Sequence, residues 1–447
     1  MGISNRAEAL FLFAGDLVLF YVSLFLTLFF RYGSELDGEL LELHLLPFSI
    51  LFIFWLLSFF VAGLYEKQTL LFQKRLPQLL SRALIVNSIF AVLFFYFIPA
   101  FEITPKSNLF IYLFVSFVLL LLWRSFSFTV GGGSQKQNAI IIGSGGEFRE
   151  IEEEVNQNPR YHIRFVASFD ADKLSGTDIE EEIVRLVYSE GISFIAVDLK
   201  NETLQPLLPK LYNLLFQRVR FVDTHRVYED IFDRVPISLL KYHWFLEHIS
   251  TLPKWSYDAG KRLMDILISI PLLVIPVLTF PFVWLAVKLQ DRGSVFIWQE
   301  RVGKNNALIK ILKYRTMKFN DEGREAEDNE VTRVGAFLRK SRLDEFPQLW
   351  NVLMGDLSLI GPRPELPALV RKYEESVPYY NIRHLIKPGL SGWAQIYHDE
   401  HPHHGANVDK TKQKLSYDLY YIKNRSLFLD LKIALRTIQT LLSRSGI

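Results

Sequence analysis

The sequence predicts a multidomain membrane protein: a four-helix transmembrane bundle, an α/β domain on a small parallel sheet, and a mainly α C-terminal domain. Three observations carry this reading. Four apolar runs, 9–30, 46–64, 83–100 and 109–123, crowd the first 130 residues, and at about 1.5 Å per residue each approaches a hydrocarbon layer of roughly 30 Å. A strand, glycine turn and helix pattern begins near residue 137, and a dense series of charged motifs fills the chain after residue 255. A length of 447 residues, at roughly 150 per domain, agrees with three units.

Composition narrows the function. Apolar residues make up 50% against 22% charged, with 37 Phe, which excludes disorder and points to membrane contact. Lys+Arg at 50 against Asp+Glu at 48 leaves +2, so no global field attracts nucleic acid, and no nucleic-acid partner is expected. Without cysteine there are no disulfides, thiolate metal sites or cysteine nucleophiles.

The bundle is assigned to 1–130. Its first run lacks a basic leader and cleavage site and is followed by three more, so it reads as a retained span. The segment between the second and third runs carries Lys67, Lys74, Arg75 and Arg82, whereas the first loop carries Glu35, Asp37, Glu39 and Glu42, which places both ends of the bundle on the cytoplasmic side. Asp16 lies inside the first span, where a carboxylate needs a partner, and a residue on another helix is expected to supply it.

The α/β domain is assigned to 137–225, after the glycine-rich 131–134. Its Ala139-Ile-Ile-Ile-Gly-Ser-Gly-Gly start, with further strands at 194–198 and 219–223, is Rossmann-like. Gly143 and Gly145 fit the dinucleotide fingerprint, but Phe148 stands where a third glycine belongs, so a spacer, dimerisation or regulatory role is favoured over nucleotide binding. Residues 226–255 read as a linker, and 256–447 as the domain that carries the chemistry.

A fifth apolar run opens that domain. Its span 261–288 is interrupted by Asp265, Pro271, Pro276 and Pro281, and the basic residues that follow, among them Lys304, Lys310 and Arg333, oppose export. A re-entrant membrane helix, entering and leaving the same face and bending at Pro276 or Pro281, fits better than a crossing. The last helical stretch, 427–442, reads as an amphipathic surface helix with Asp430, Lys432 and Arg436 on its polar side.

Asp344 and Glu345 precede Pro347 and an apolar helical pattern, so they are expected at a helix start, where backbone N–H groups favour negative charge. Adjacent carboxylates repel, and a divalent cation relieves that. Lys313, Arg315, Arg339 and Arg363 can spread positive charge over a diphosphate, with Pro362 and Pro364 stiffening the backbone around Arg363. Phosphoryl transfer suits this set. His398, His401, His403 and His404 have zinc-compatible spacing, but a polar turn explains them better.

From Lys261 to the C-terminus the motifs resemble the bacterial polyprenyl-phosphate sugar-1-phosphate transferases, the monotopic phosphoglycosyl transferases. Lys261-Arg-Leu-Met-Asp, Gln299-Glu-Arg-Val-Gly, Leu343-Asp-Glu, Gly361-Pro-Arg-Pro, Lys387-Pro-Gly and Gly392-Trp-Ala-Gln occur in order, and Tyr417-Asp-Leu-Tyr-Tyr resembles the exopolysaccharide branch. The resemblance implies transfer of sugar 1-phosphate from a UDP-sugar to undecaprenyl phosphate, with release of UMP, in a catalytic domain on the cytoplasmic face of the bacterial inner membrane. It implies that Asp344 is the nucleophile and Glu345 a Mg²⁺ ligand, with Lys313, Arg339, Arg363 and Asp418 in the active site and Arg363 at the nucleotide; Arg315, Pro362 and Pro364 are placed at the substrate by the charged cluster itself. In place of the Asn-Gly-Arg element of smaller relatives the chain has Tyr397-His-Asp-Glu, so the sugar stays open, as does a homodimer. The alternatives are a membrane-anchored nucleotide-binding scaffold or sensor, and a nucleotide-sugar epimerase or reductase working through the middle domain.

Overall fold

The fold is that of a computed structural model, described for residues 6–65, 76–98, 106–131, 136–158, 161, 163–171, 178–198, 201–217, 219–250, 254–290, 293–318, 331–397 and 408–443. The chain divides into two compact units, Met1–Ile231 and Phe232–Ile447.

The first unit begins with α1 (Arg6–Tyr32), α2 (Gly38–Val61), α3 (Leu76–Phe97) and α4 (Lys106–Gly131). Each contains a stretch long and apolar enough to cross a membrane. Phe20, Phe48, Phe52, Trp55 and Tyr112 fill the bundle core, while Phe29, Ile53, Phe97 and Phe110 face outward, as suits a lipid solvent. Asp16 is fully buried. Its Oδ2 accepts hydrogen bonds from Arg124 Nη2 on α4 and from Tyr65 OH at 2.9 Å, and Arg124 Nη1 donates to the Leu64 carbonyl at 2.9 Å. The expected partner helix is therefore α4, and the pair ties α1 and α4 to the end of α2.

Next come β1 (Gln137–Gly143), α5 (Gly145–Gln157), β2 (Ile163–Asp170), α6 (Asp178–Ser189), β3 (Phe194–Val197), α7 (Leu208–Asn213), β4 (Arg220–Asp223) and α8 (Thr224–Phe232). The strands form one parallel sheet in the order β2-β1-β3-β4. β2 is absent from the sequence reading because it is a half-buried edge strand without the continuous apolar run of β1. Phe148 is buried, and a Cβ placed on Gly143 would lie 3.1 Å from its ring, so the residue at the third-glycine position is core packing.

The second unit comprises α9 (Tyr242–His248), α10 (Trp255–Leu272), α11 (Val274–Gln290), β5 (Phe296–Val302), β6 (Leu308–Tyr314), α12 (Arg333–Lys340), α13 (Leu349–Met354), β7 (Ser358–Ile360), α14 (Pro367–Ser376), β8 (Gly389–Ser391), α15 (Trp393–Tyr397), α16 (Val408–Asn424) and α17 (Leu427–Ser443). β5 and β6 form an antiparallel hairpin, and β7 pairs with β8 in parallel.

Three expectations are corrected here. The segment 226–255 is not a simple linker: Val235, Trp244 and Phe245 are buried among Tyr380, Trp393 and Leu419, and the Asp233 carbonyl accepts a hydrogen bond from Trp393 Nε1 at 2.8 Å. The aromatic faces of α15 and α16 need this cover to leave water. The bend of 41° falls at Leu273, not at Pro276 or Pro281. A proline ring clashes with the carbonyl four residues earlier, and for Pro276 that is Leu272, the last residue of α10. Asp430 does not lie on a wet face of α17. It is fully buried and accepts hydrogen bonds from Tyr421 OH at 2.6 Å, Tyr257 OH at 3.0 Å and Lys261 Nζ at 3.1 Å, joining α17 to α16 and α10. Phe428, Leu431 and Ile438 remain exposed on that helix.

Both arms of the bent pair rest on neighbouring segments of the unit. Arg262 on α10 donates to the carbonyls of Val352 and Leu353 at 2.6 and 2.5 Å, and Asp265 accepts from Leu359 N at 3.0 Å. On α11, Val283 and Val287 pack with Tyr314, Leu338 and Leu343.

Candidate active site

The carboxylate pair is positioned by the end of one helix and the start of another. Thr332 caps α12, its Oγ1 accepting from Gly335 N at 2.9 Å. After α12, Arg342 adopts a left-handed conformation (φ 58°) and reverses the chain into a 3₁₀ turn, Leu343–Gln348, that runs directly into α13. Asp344 and Glu345 occupy the first turn, as the sequence suggests. Gly355 (φ 94°) ends α13, a conformation costly for residues with a Cβ.

β6 runs alongside this turn. Asn351 clamps it, Oδ1 accepting from Leu312 N at 2.9 Å and Nδ2 donating to the Lys310 carbonyl at 2.8 Å. Lys313 on that strand reaches within 3.8 Å of Glu345 Oε1. From the other side Arg363 Nη2 donates to the same oxygen at 2.5 Å. Arg339 donates through Nε to Thr316 Oγ1 at 3.0 Å, and its charge stabilises the Asp344 carboxylate.

Arg315 is placed differently. β6 ends at Tyr314, so the alternation that presents Lys313 stops, and Arg315 donates to the carbonyls of Met317, at 2.9 Å, and Lys318. This geometry braces a loop. Pro362 and Pro364 are buried on either side of Arg363. A Cβ on Gly361 would lie 2.6 Å from the Lys387 carbonyl, so only glycine lets the segment pass this close to β8.

The two carboxylates diverge electrostatically. Burial, with the neighbouring Glu345 charge, pushes Asp344 up to about 6. Burial also works against Glu345, but Arg363 and Lys313 outweigh it and hold this carboxyl at about 2. Lys313 is lowered to about 8 by burial, with Arg363 and Arg301 adding to the fall while Glu345 opposes it. The site thus pairs a permanently charged, cation-held Glu345 with an Asp344 whose charge is costly in its surroundings. A costly carboxylate held at a helix start and flanked by cations can attack an electrophilic phosphorus.

Asp418, on α16, does not touch this pair. It is buried 2.9 Å from Arg383 Nη2, and the same guanidinium donates to the Arg363 carbonyl at 3.0 Å. Burial pushes Asp418 up to about 6, against the pull of Arg383. Arg383 also donates to Tyr380 OH and lies 4.0 Å from Glu365. Arg383 and Glu365 are absent from the sequence reading. Glu365 directly follows Pro364, which was the available signal, whereas Arg383 sits in a 3₁₀ turn with no motif of its own.

Among the described residues no group of three or more His, Cys, Asp or Glu side chains is disposed to hold a metal. A single carboxylate such as Glu345, whose Oε1 faces Lys313 and Arg363, is compatible with Mg²⁺, which usually takes one or two carboxylates and completes its shell with water and substrate phosphate. The candidate zinc histidines, 398–404, lie outside the described residues.

Residues 256–444 match the sequence model of the bacterial sugar transferases, and 60–189 that of a CoA-binding domain. The chain is 44% identical over 204 residues to UDP-N-acetylgalactosamine-undecaprenyl-phosphate N-acetylgalactosaminephosphotransferase of Aeromonas hydrophila, covering 44% of this chain and 47% of that protein. It thus spans about half the length of that relative. With UDP-glucose:undecaprenyl-phosphate glucose-1-phosphate transferase of Caulobacter vibrioides it shares 38% identity over 198 residues, 43% of this chain and 73% of the other. The UDP-galactose-lipid carrier transferase of Erwinia amylovora is 30% identical over 352 residues, 70% of this chain and 69% of its own.

Proposed function

Because the chain belongs to the bacterial sugar transferase family, we propose that it transfers sugar 1-phosphate from a UDP-sugar to a polyprenyl phosphate such as undecaprenyl phosphate. The observation that carries this is the split pair: Glu345 locked between Arg363 and Lys313, beside an Asp344 destabilised by burial.

In the first step an Asp344 carboxylate oxygen attacks the β-phosphorus of the donor. The bond from that phosphorus to the bridging oxygen breaks, UMP departs with the oxygen, and a phosphosugar remains on the aspartate. In the second, a phosphate oxygen of the lipid attacks the same phosphorus and frees the carboxylate. Lys313, Arg339 and Arg363 counter the charge that builds on the phosphoryl oxygens. Glu345 is the residue that would hold Mg²⁺, which supplies further charge neutralisation when bound.

The catalytic unit would work at the cytoplasmic face of the inner membrane. Arg262 on one arm and Val287 on the other both dock on segments of the same unit, which supports a re-entrant α10–α11 pair over a crossing. The exposed Phe428, Leu431 and Ile438 suit an α17 lying along the bilayer.

The α/β domain takes no part in these steps. The strand ends where a CoA diphosphate would sit carry Asp170, Asp198 and Asp223, and Phe148 packs against Gly143. These residues do not suit a polyphosphate.

The full chain with Mg²⁺ and the right UDP-sugar, without lipid, should release UMP in a burst about equal to enzyme. Asp344→Asn should abolish it. A normal burst in that variant would remove the covalent route.

A further inference from the structure

Arg342 is the cation beside the carboxylate pair to which the two transfer steps give no part. Among the described residues five that are not glycine have a positive φ, and three of them, Asp233, Asn305 and Asn306, have short polar side chains that tolerate it. Arg342, at φ 58°, makes the turn that delivers Asp344, a turn that glycine or asparagine would make at lower cost. The backbone therefore gives no reason for a guanidinium at this position.

The chain itself makes little use of that guanidinium. Arg342 is half-buried, and among the described residues its side chain makes no hydrogen bond or ion pair, although its charge reaches Glu345 and helps to hold that carboxyl down. By contrast Arg363 is bonded to Glu345, Lys313 lies 3.8 Å from the same oxygen, and Arg339 donates to Thr316. Its neighbours set the direction from which a ligand arrives. Leu343, between Arg342 and Asp344, packs in the cluster of Val283 and Val287 from α11, the second arm of the apolar bent pair. On the other side Ser341 Oγ donates to the carbonyl of Phe337 at 2.9 Å, and the Phe337 side chain is exposed. Arg342 thus stands where the apolar arm meets the carboxylate pair.

We propose that Arg342 receives the phosphate of the polyprenyl acceptor and steers it toward the phosphorus held on Asp344. The inference rests on the transferase reading above. An isoprenoid tail stays in hydrocarbon, so its phosphate reaches the pair from the side of the membrane arm, whereas the water-soluble donor is under no such constraint. In the second step two anionic phosphates, one on the aspartate and one on the lipid, have to come within bonding distance. Lys313, Arg339 and Arg363 counter the charge on the first. The repulsion added by the second calls for a further cation, and Arg342 supplies it on the arm's side. A guanidinium suits this, since its fork pairs with two phosphate oxygens at once. No bond forms or breaks at Arg342: the lipid oxygen attacks phosphorus and Asp344 leaves as the carboxylate.

The test uses the full-length protein in nanodiscs with Mg²⁺, undecaprenyl phosphate as acceptor, and the UDP-sugar that a panel read by UMP release identifies as donor. In a two-step transfer the kcat/KM of each substrate reports its own half-reaction, so the two sides can be read apart. Arg342→Asn removes the charge and keeps a residue that accepts the left-handed turn. It should lower kcat/KM for undecaprenyl phosphate about tenfold and leave kcat/KM for the UDP-sugar within about twofold. Arg342→Gly, with a still easier turn, should show the same defect, and Arg342→Lys should recover part of the loss. A role in the turn alone predicts instead that glycine restores what asparagine loses, and that result would overturn the inference. So would an unchanged kcat/KM for the lipid in both charge-removing variants. A fall for the donor in step with the lipid would make Arg342 a donor contact and overturn it equally. If no UDP-sugar yields UMP with the unaltered protein, the transferase reading itself fails and the acceptor contact falls with it.

Discussion

Asp344 and Lys313 set opposite limits on the same reaction. The nucleophile acts as a carboxylate, so its active fraction rises as pH climbs through about 6. Lys313 acts as an ammonium, so its contribution fades as pH passes about 8. The pH profile of kcat/KM for UMP release should therefore be a bell with limbs near those values, and a flat profile between pH 5 and 9 would show that neither group titrates in the rate-governing step. Glu345, held near 2, stays charged throughout and adds no limb. Much of this was legible in the sequence, since Asp344, Glu345, Lys313, Arg339 and Arg363 all lie in contiguous motifs. What was not legible is the difference between the carboxylates, because it depends on which one the guanidinium of a segment 18 residues away selects.

At the scale of elements, a single amide side chain fixes the distance between cation and carboxylate. Asn351 replaces two strand partners for β6, bonding Leu312 N and the Lys310 carbonyl on either side of the residues that lead to Lys313. Asn351→Ala should cost about 1–3 kcal/mol of stability, read by thermal unfolding, because both backbone groups lose their partner. It should also lower kcat by roughly tenfold or more, since small misplacements of charged groups are severe in their effect. The β5–β6 hairpin escaped the sequence reading because its strands are only partly buried and carry lysine, arginine and glutamate. The bend at Leu273 was displaced from the expected prolines for a steric reason that sequence does state, the clash at the fourth carbonyl back. In the bundle, Arg124 and Asp16 form the corresponding fixed point. Arg124→Met leaves a buried carboxylate uncompensated and should cost about 3–5 kcal/mol, whereas the double variant with Asp16→Leu should recover most of the lost melting temperature.

For the molecule as a whole, the first prediction concerns sidedness. A protease site and tag placed at the C-terminus should resist protease added to spheroplasts and be cut in inverted vesicles, and cleavage in spheroplasts would require α10–α11 to cross. Hydropathy revealed the four spans because lipid leaves their outer faces apolar as well, so no polar residues interrupt the pattern. It did not reveal that 232–250 belongs with the second unit, since Val235, Trp244 and Phe245 are too sparse to form a periodic stretch, and their partners on α14 to α16 follow more than a hundred residues later. Nor did the motifs reveal Arg383, which meets Asp418, Glu365, Tyr380 and the Arg363 carbonyl only in space.

The knot of Tyr257, Lys261, Tyr421 and Asp430 has a consequence for biosynthesis. Lys261 and Asp430 are separated by 169 positions, which at roughly 5–20 residues per second is a wait of about 10–30 s on the ribosome. During that interval α10 carries its lysine without the carboxylate that pairs with it. The late arrival of the aspartate is what fastens it.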